Sequence, residues 1–136
     1  MSTIFSQIIA GDLPCHKIYE DEHLLAFLDI NPIQPGHTLV IPKNPSIDGL
    51  SCPPGGLARI IIAGQKVAAA LMEATQCDGV NFLMNNGEAA GQKVFHTHLH
   101  IIPRMHNDGV YEEPMPGEYE NGEAEGLAAS IAKAII

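Results

Sequence analysis

The sequence predicts an α+β fold: an antiparallel five-stranded sheet, one main helix across a face, and short helices towards the two termini. Three observations predict it. Short apolar runs at 17–20, 24–28 and 37–41 are separated by clusters of Asp, Asn, Pro and Gly, the pattern of strands joined by turns. The stretch 57–75 carries Ile60, Ile61, Gly64, Val67, Ala68, Leu71 and Met72 at helical spacing. Two more apolar runs, 80–84 and 94–103, follow that helix.

Each element has a local reason. Ser2 or Thr3 supplies an N-cap for a short helix through Ile4, Phe5, Ile8 and Ile9, and Gly11 closes it. Pro14 interrupts the chain before the first strand. Asp21-Glu22-His23 turns it into the second. Asp29 to Gly36, rich in Asn, Pro and Gly, forms the loop to the third strand, which Pro42 ends. Residues 45–56, with several Pro and Gly, form a further loop. Asn85 to Gln92 is a glycine-bearing connection between the last two strands. Beyond Arg104 the chain turns acidic and rich in Gly and Pro, and 127–136 reads as a short Ala- and Ile-rich helix. The expected division is a folded domain over 1–105 and an acidic C-terminal tail over 106–136.

Length and charge narrow the function. The 136 residues suit one compact domain, and 46% hydrophobic content supports a core without cross-links. A formal charge of −9 disfavours nucleic acid and anionic membrane as partners. A small anionic ligand would need local cations, imidazoles or backbone N–H groups. Cys15, Cys52 and Cys77 are odd in number and form no CxxC, so neither a disulfide framework nor a cysteine zinc site is indicated. Reduced thiols and the absence of a signal-like start predict a cytoplasmic protein. No apolar run of about 18 residues, the span of a membrane helix, is expected.

The chemistry concentrates in His96-Thr97-His98-Leu99-His100, where three of the seven histidines fall within five positions. On a strand, these three would share one face at about 6.7 Å spacing, with Leu99 and Ile101 directed to the core. A metal would bridge two neighbours readily and all three only with steep inward bending. The alternative is nucleophilic and acid–base catalysis. One imidazole attacks as the free base, another stabilises the anion, and the resulting adduct is labile. The preceding loop suits phosphorus chemistry. Gly87 and Gly91 allow close backbone approach to an anion, and Asn85 and Gln92 offer neutral polar contacts.

With its flanks, the segment Gly91-Gln92-Lys93-Val94-Phe95-His96-Thr97-His98-Leu99-His100-Ile101-Ile102-Pro103-Arg104 resembles the signature of the histidine triad (HIT) family, and within it the nucleotide phosphoramidase branch. The resemblance extends back through Ile4-Phe5, the Leu13-Pro14 and Tyr19-Glu20-Asp21 region, Phe27-Leu28-Asp29-Ile30-Asn31-Pro32 and Pro35-Gly36-His37-Thr38-Leu39-Val40-Ile41-Pro42-Lys43, and so covers about the first three-quarters of the chain. It implies a HIT-like fold whose sheet continues across a homodimer. It also implies a nucleotide hydrolase that needs no cofactor. By that likeness His98 attacks the α-phosphorus, His100 contacts the α-phosphate and assists the leaving group, and His96 orients His98. Asn85, Gly91 and Val94 match phosphate-side positions. Ile4, Phe5, Phe27 and Ile30 would form the base pocket, and Asp29 would accept from the ribose hydroxyls. Gln92 and Lys93 join the nucleotide-binding set, and His37 is a structural histidine near the triad. The implied substrates are purine nucleoside phosphoramidates or aminoacyl-adenylates.

Two positions depart from the pattern. Some bacterial relatives hold zinc with cysteines near the N-terminus and a histidine after the Pro-Lys pair; Ser6 and Pro45 stand at two of those places, so no metal is expected. Lys93 occupies a position where the phosphoramidase branch often has serine. Dinucleoside polyphosphate hydrolysis, nucleotide binding with incidental turnover, and histidine-based metal binding are the alternative functions.

Overall fold

The computed structural model describes residues 2–111 and 113–136. Its elements run α1 (Ile4–Ala10), β1 (Lys17–Glu20), β2 (Leu24–Leu28), β3 (Thr38–Pro42), α2 (Pro54–Thr75), β4 (Gly79–Leu83), a 3₁₀ turn (Glu88–Ala90), β5 (Leu99–Arg104) and α3 (Glu123–Ala134). The five strands form one antiparallel sheet in the order β1-β2-β3-β5-β4. The α+β class and the sheet match the expectation.

Alternation along the strands sends side chains to two different layers. Leu24 and Ala26 of β2, Val40 of β3, and Leu99 and Ile101 of β5 pack beneath α2, against Ile60, Ala63, Val67, Ala68 and Leu71. Gly64 is what lets the helix settle there, because a Cβ at that position would lie 2.8 Å from Leu99 Cδ2. The intervening residues Leu25, Phe27, Leu39 and Ile41 face the other way and meet Phe5 of α1. The functional chemistry lies on this second face.

α1 is short and depends on its ends. The Thr3 hydroxyl accepts from the Ser6 N–H at 3.2 Å, and the Ser6 hydroxyl accepts from the Thr3 N–H at 2.7 Å, a reciprocal capping box. Gly11 closes the helix at φ 84°. α2 starts at Pro54, three residues before the expected 57, because proline at a first-turn position has its φ pre-set and lacks only an N–H that would be unpaired. By length and a mean hydropathy of 1.3, α2 also meets the test for a membrane span, which corrects the expectation that no such run exists. In the fold it is the core helix, its buried stripe lying on the sheet.

β5 departs most from expectation. It begins at Leu99 rather than at 94. Extending the β3–β5 register would set Pro42 opposite Thr97, and proline has no N–H for the ladder. The approach to β5 is held by other bonds. Thr97 N–H donates to Ser46 O at 2.8 Å, and the Thr97 hydroxyl lies 2.7 Å from Asp48 O and 2.6 Å from Ser46 Oγ. His96 and His98 are therefore not strand residues sharing one face with His100.

At the far end of β5, Asp108 takes both Arg104 Nε and Nη2, at 2.7 and 2.8 Å, and Gln34 Nε2 at 3.2 Å. The Arg104 guanidinium also lies 4.9 Å over the Tyr111 ring. Arg104 thus anchors the start of the C-terminal segment. α3 spans Glu123–Ala134, earlier than the expected 127–136. Glu123 and Glu125 in its first turn and Lys133 in its last suit the helix dipole. None of its residues is buried.

Candidate active site

A cavity of about 830 Å³ opens on the face of the sheet that carries α1. Three parts of the chain supply most of its lining residues. α1 supplies Ile4, Phe5 and Ile8; β2 and the loop after it supply Phe27, Asp29, Ile30 and Asn31; the connection into β5 supplies Asn85, Gly91, Lys93, Val94, His98 and His100. Ile30 is 78% exposed, an isoleucine held in water at the rim. Apolar walls and a few convergent polar groups are the usual composition of a small-molecule site.

The imidazoles are held by a chain of directional bonds. His98 Nδ1 lies 2.6 Å from the His96 carbonyl, which can only accept. Nδ1 therefore carries the proton, and the neutral ring keeps a lone pair on Nε2. The edge of Phe5 meets the His98 ring at 5.0 Å between centroids and 79° between planes, fixing its tilt. His100 lies beside it, 4.8 Å between centroids. The Ile33 N–H donates to His37 Nδ1 at 3.1 Å, so His37 carries its proton on Nε2. That N–H donates to His100 Nδ1 at 2.9 Å, and the proton of His100 is left on Nε2. Asp29 Oδ2 sits 3.8 Å from His37 Nε2, while its other oxygen accepts from Asn31 N–H at 2.9 Å. Asp29 thus closes a turn and faces the cavity at once.

Burial keeps these rings neutral. Desolvation lowers His37, His96 and His98 below the ordinary histidine value; the carbonyl bonds of His96 and His98 oppose it, as does the Asp29 carboxylate at His37. His100 is lowered to about 4, by burial first and then by His98 and His37. The site therefore presents a free imidazole nitrogen of His98 next to a neutral N–H donor.

Two expected site residues lie outside the cavity wall. His96 is buried behind it, its Nε2 donating to Pro42 O at 2.8 Å, and it reaches His98 through its main-chain carbonyl rather than its ring. Gln92, read from sequence as a nucleotide contact, is corrected to a brace. Its Oε1 accepts from Gly87 N–H at 2.8 Å, and its Nε2 donates to Ile47 O at 2.7 Å and Val94 O at 3.1 Å. It is only 3% exposed, so both ends of the amide are committed to shaping the loop. Gly91 needs glycine for its φ of 94°. His37, Ile4, Phe5, Phe27, Asp29, Ile30, Asn85, Gly91, Lys93 and Val94 all line the cavity. Ile8 and Leu39 also line it and were missed. The signal was available, since Ile8 lies one turn after Ile4 and Leu39 shares a strand face with His37.

Asp29, His37 and His100 bring three potential ligand atoms within 4.8 Å of one another. As protonated, His37 turns an N–H into that space and the His100 lone pair is already used, so the set as it stands is arranged for hydrogen bonding. The places of a structural zinc do not fit that ion: the Ser6 hydroxyl is engaged in the α1 cap, Pro45 has no donor, and Cys15 lies in the cavity wall.

Known proteins share this fold and much of this sequence. The HIT domain model matches residues 10–107. Protein hit of Bacillus subtilis is 45% identical over 134 residues, covering 96% of this chain and 92% of its own. Adenylylsulfatase HINT3 of Arabidopsis thaliana is 45% identical over 110 residues, 79% of this chain and 55% of its own, so this chain spans about half of that relative. A crystal structure of a HIT family member from Bacillus subtilis has a TM-score of 0.91 at 40% identity, covering 100% of this chain and 99% of the other. Matched by the family model over most of its length and by a relative over nearly all of it, the chain belongs to the HIT family.

Proposed function

We propose that this protein hydrolyses purine nucleotides at the α-phosphate through a nucleotidyl intermediate on His98, acting on phosphoramidates or aminoacyl-adenylates. The observation that carries the reading is the His98 ring, with Nδ1 bound to the His96 carbonyl and Nε2 left free at the cavity. Nε2 attacks phosphorus, the bond to the leaving group breaks with its electron pair, an amine leaving group taking up a proton from solvent as it departs, and the ring becomes cationic. The His96 carbonyl stabilises that charge at Nδ1–H. The His100 Nε2–H donates to a non-bridging phosphate oxygen. Water then attacks the same phosphorus, the nucleoside monophosphate departs, and His98 returns to the free base.

Ile4, Phe5, Phe27 and Ile30 hold the base, and Asp29 accepts from the ribose hydroxyls with the oxygen its turn leaves open. Asn85, Gly91, Lys93 and Val94 flank the phosphate. The name of the Arabidopsis relative, an adenylylsulfatase, is in keeping with chemistry at a nucleotide α-phosphate. Partly exposed Asn81, Phe82 and Leu83 on the edge strand β4, with Ile61 and Ile62 on the outer side of α2, support a homodimer in which the sheet continues from β4. The three unpaired cysteines suit a reducing compartment.

The test is AMP release from adenosine 5′-phosphoramidate with EDTA present, for native protein and His98→Ala. Release by the native protein alone is expected. Loss of activity in EDTA would support a metal reading instead.

A further inference from the structure

We infer that Lys93 directs this site towards nucleotides whose leaving group is an oxyanion, such as a sulfate or phosphate, over those that release an amine. The inference rests on the α-phosphate hydrolase reading and ranks the leaving groups that such a site would take. Among the described residues that line the cavity, Lys93 is the only Lys or Arg and Asp29 the only carboxylate. Among the described residues Lys93 has no ion-pair partner, as is also true of Arg59, Lys66 and Lys133, but of these four it is the one that lines the cavity. In a chain of net charge −9, a cation left unpaired in the wall of an anion-binding cavity decides the local field.

Position adds to charge. The apolar wall is drawn mainly from α1, β2 and the loop after it, and Lys93 stands on the connection that also delivers His98. The backbone on either side is fixed, by the positive-φ turn at Gly91 and by the Gln92 amide bonded to Val94 O at 3.1 Å. A rigid root and a flexible four-carbon stem allow the ammonium to follow a departing anion without reshaping the site. The serine that often stands at this position in the phosphoramidase branch would give a neutral hydroxyl instead.

The two leaving-group classes make different demands. With a sulfate, the His98 Nε2–P bond forms, the P–O bond breaks, and its electron pair stays on a weakly basic anion that needs no proton. With an amine, the nitrogen must gain a proton as the P–N bond breaks. His100 is pushed down to about 4, so near neutrality it is not a ready imidazolium donor in the free site. A cation serves the first class and offers less to the second.

The test compares kcat/KM for adenosine 5′-phosphosulfate and adenosine 5′-phosphoramidate in native protein, Lys93→Ser and Lys93→Arg, with thermal unfolding as a check on folding. The readout is the ratio of the two kcat/KM values. In Lys93→Ser the ratio should fall about fivefold, the upper scale of one exposed charge pair, and Lys93→Arg should keep it. A ratio unchanged within about twofold in Lys93→Ser would overturn the inference while leaving the hydrolase reading intact. Absence of His98-dependent turnover of either substrate by native protein would overturn both.

Discussion

Thr97→Val tests how the site is held without touching a group that faces the cavity. Thr97 is 1% exposed, and its hydroxyl lies 2.7 Å from Asp48 O and 2.6 Å from Ser46 Oγ. A hydroxyl has one proton, so it donates to the Asp48 carbonyl and accepts from Ser46. Valine preserves the shape and removes both bonds, leaving a carbonyl and a hydroxyl in a part-buried setting. The expected cost is about 1–3 kcal/mol, a loss of roughly 3–10 °C in Tm for a chain of this size. Because these bonds tether the turn between His96 and His98, kcat should fall as well. The assay is thermal unfolding together with nucleotide turnover, against Thr97→Ser, which keeps the hydroxyl. A Tm for Thr97→Val within about 1 °C of native, or a larger loss for Thr97→Ser, would refute the reasoning.

Two more predictions follow from the site. The histidines are held below their unfolded values, so between the two values the unfolded chain binds more protons than the folded one. Their contribution is therefore complete above about pH 6.5 and is lost as pH falls towards the value of about 4 at His100. Urea unfolding should show stability dropping by on the order of 2 kcal/mol from pH 7 to pH 4.5, and a flat profile across that range would contradict the neutral site. Asp29→Asn should reduce the preference for ribonucleotide over 2′-deoxyribonucleotide substrate about tenfold, the scale of one hydrogen bond to a charged group; an unchanged preference would remove Asp29 from ribose recognition.

The legible and illegible parts of the fold divide along physical lines. Strands β1 and β2 and the stripe of α2 followed from period and punctuation, because alternation and 3.6-residue spacing are local properties. The segment 94–98 did not. His96, His98 and His100 alternate as a strand would, but the matching position on β3 is Pro42, and the missing N–H turned the segment to the 42–48 loop. That conflict lies between residues more than fifty positions apart and has no local signature. Gln92 failed for a related reason. A glutamine in a glycine loop looks the same whether it meets ligand or braces its own backbone, and only burial separates the two. The His37–His100 bond was half visible. Sequence set His37 near the triad, while the direction of its proton depends on the Ile33 N–H across a turn.

The central claim is a covalent bond between His98 and the nucleotide phosphorus. The direct measurement is the mass of protein quenched in alkali during turnover, with the adduct mapped by digestion in native protein and in His98→Ala, His96→Ala and His100→Ala. One nucleotidyl group on the peptide carrying residues 96–100, lost only in His98→Ala, is the predicted result. An adduct that persists in His98→Ala, or normal turnover by that variant, would contradict the account.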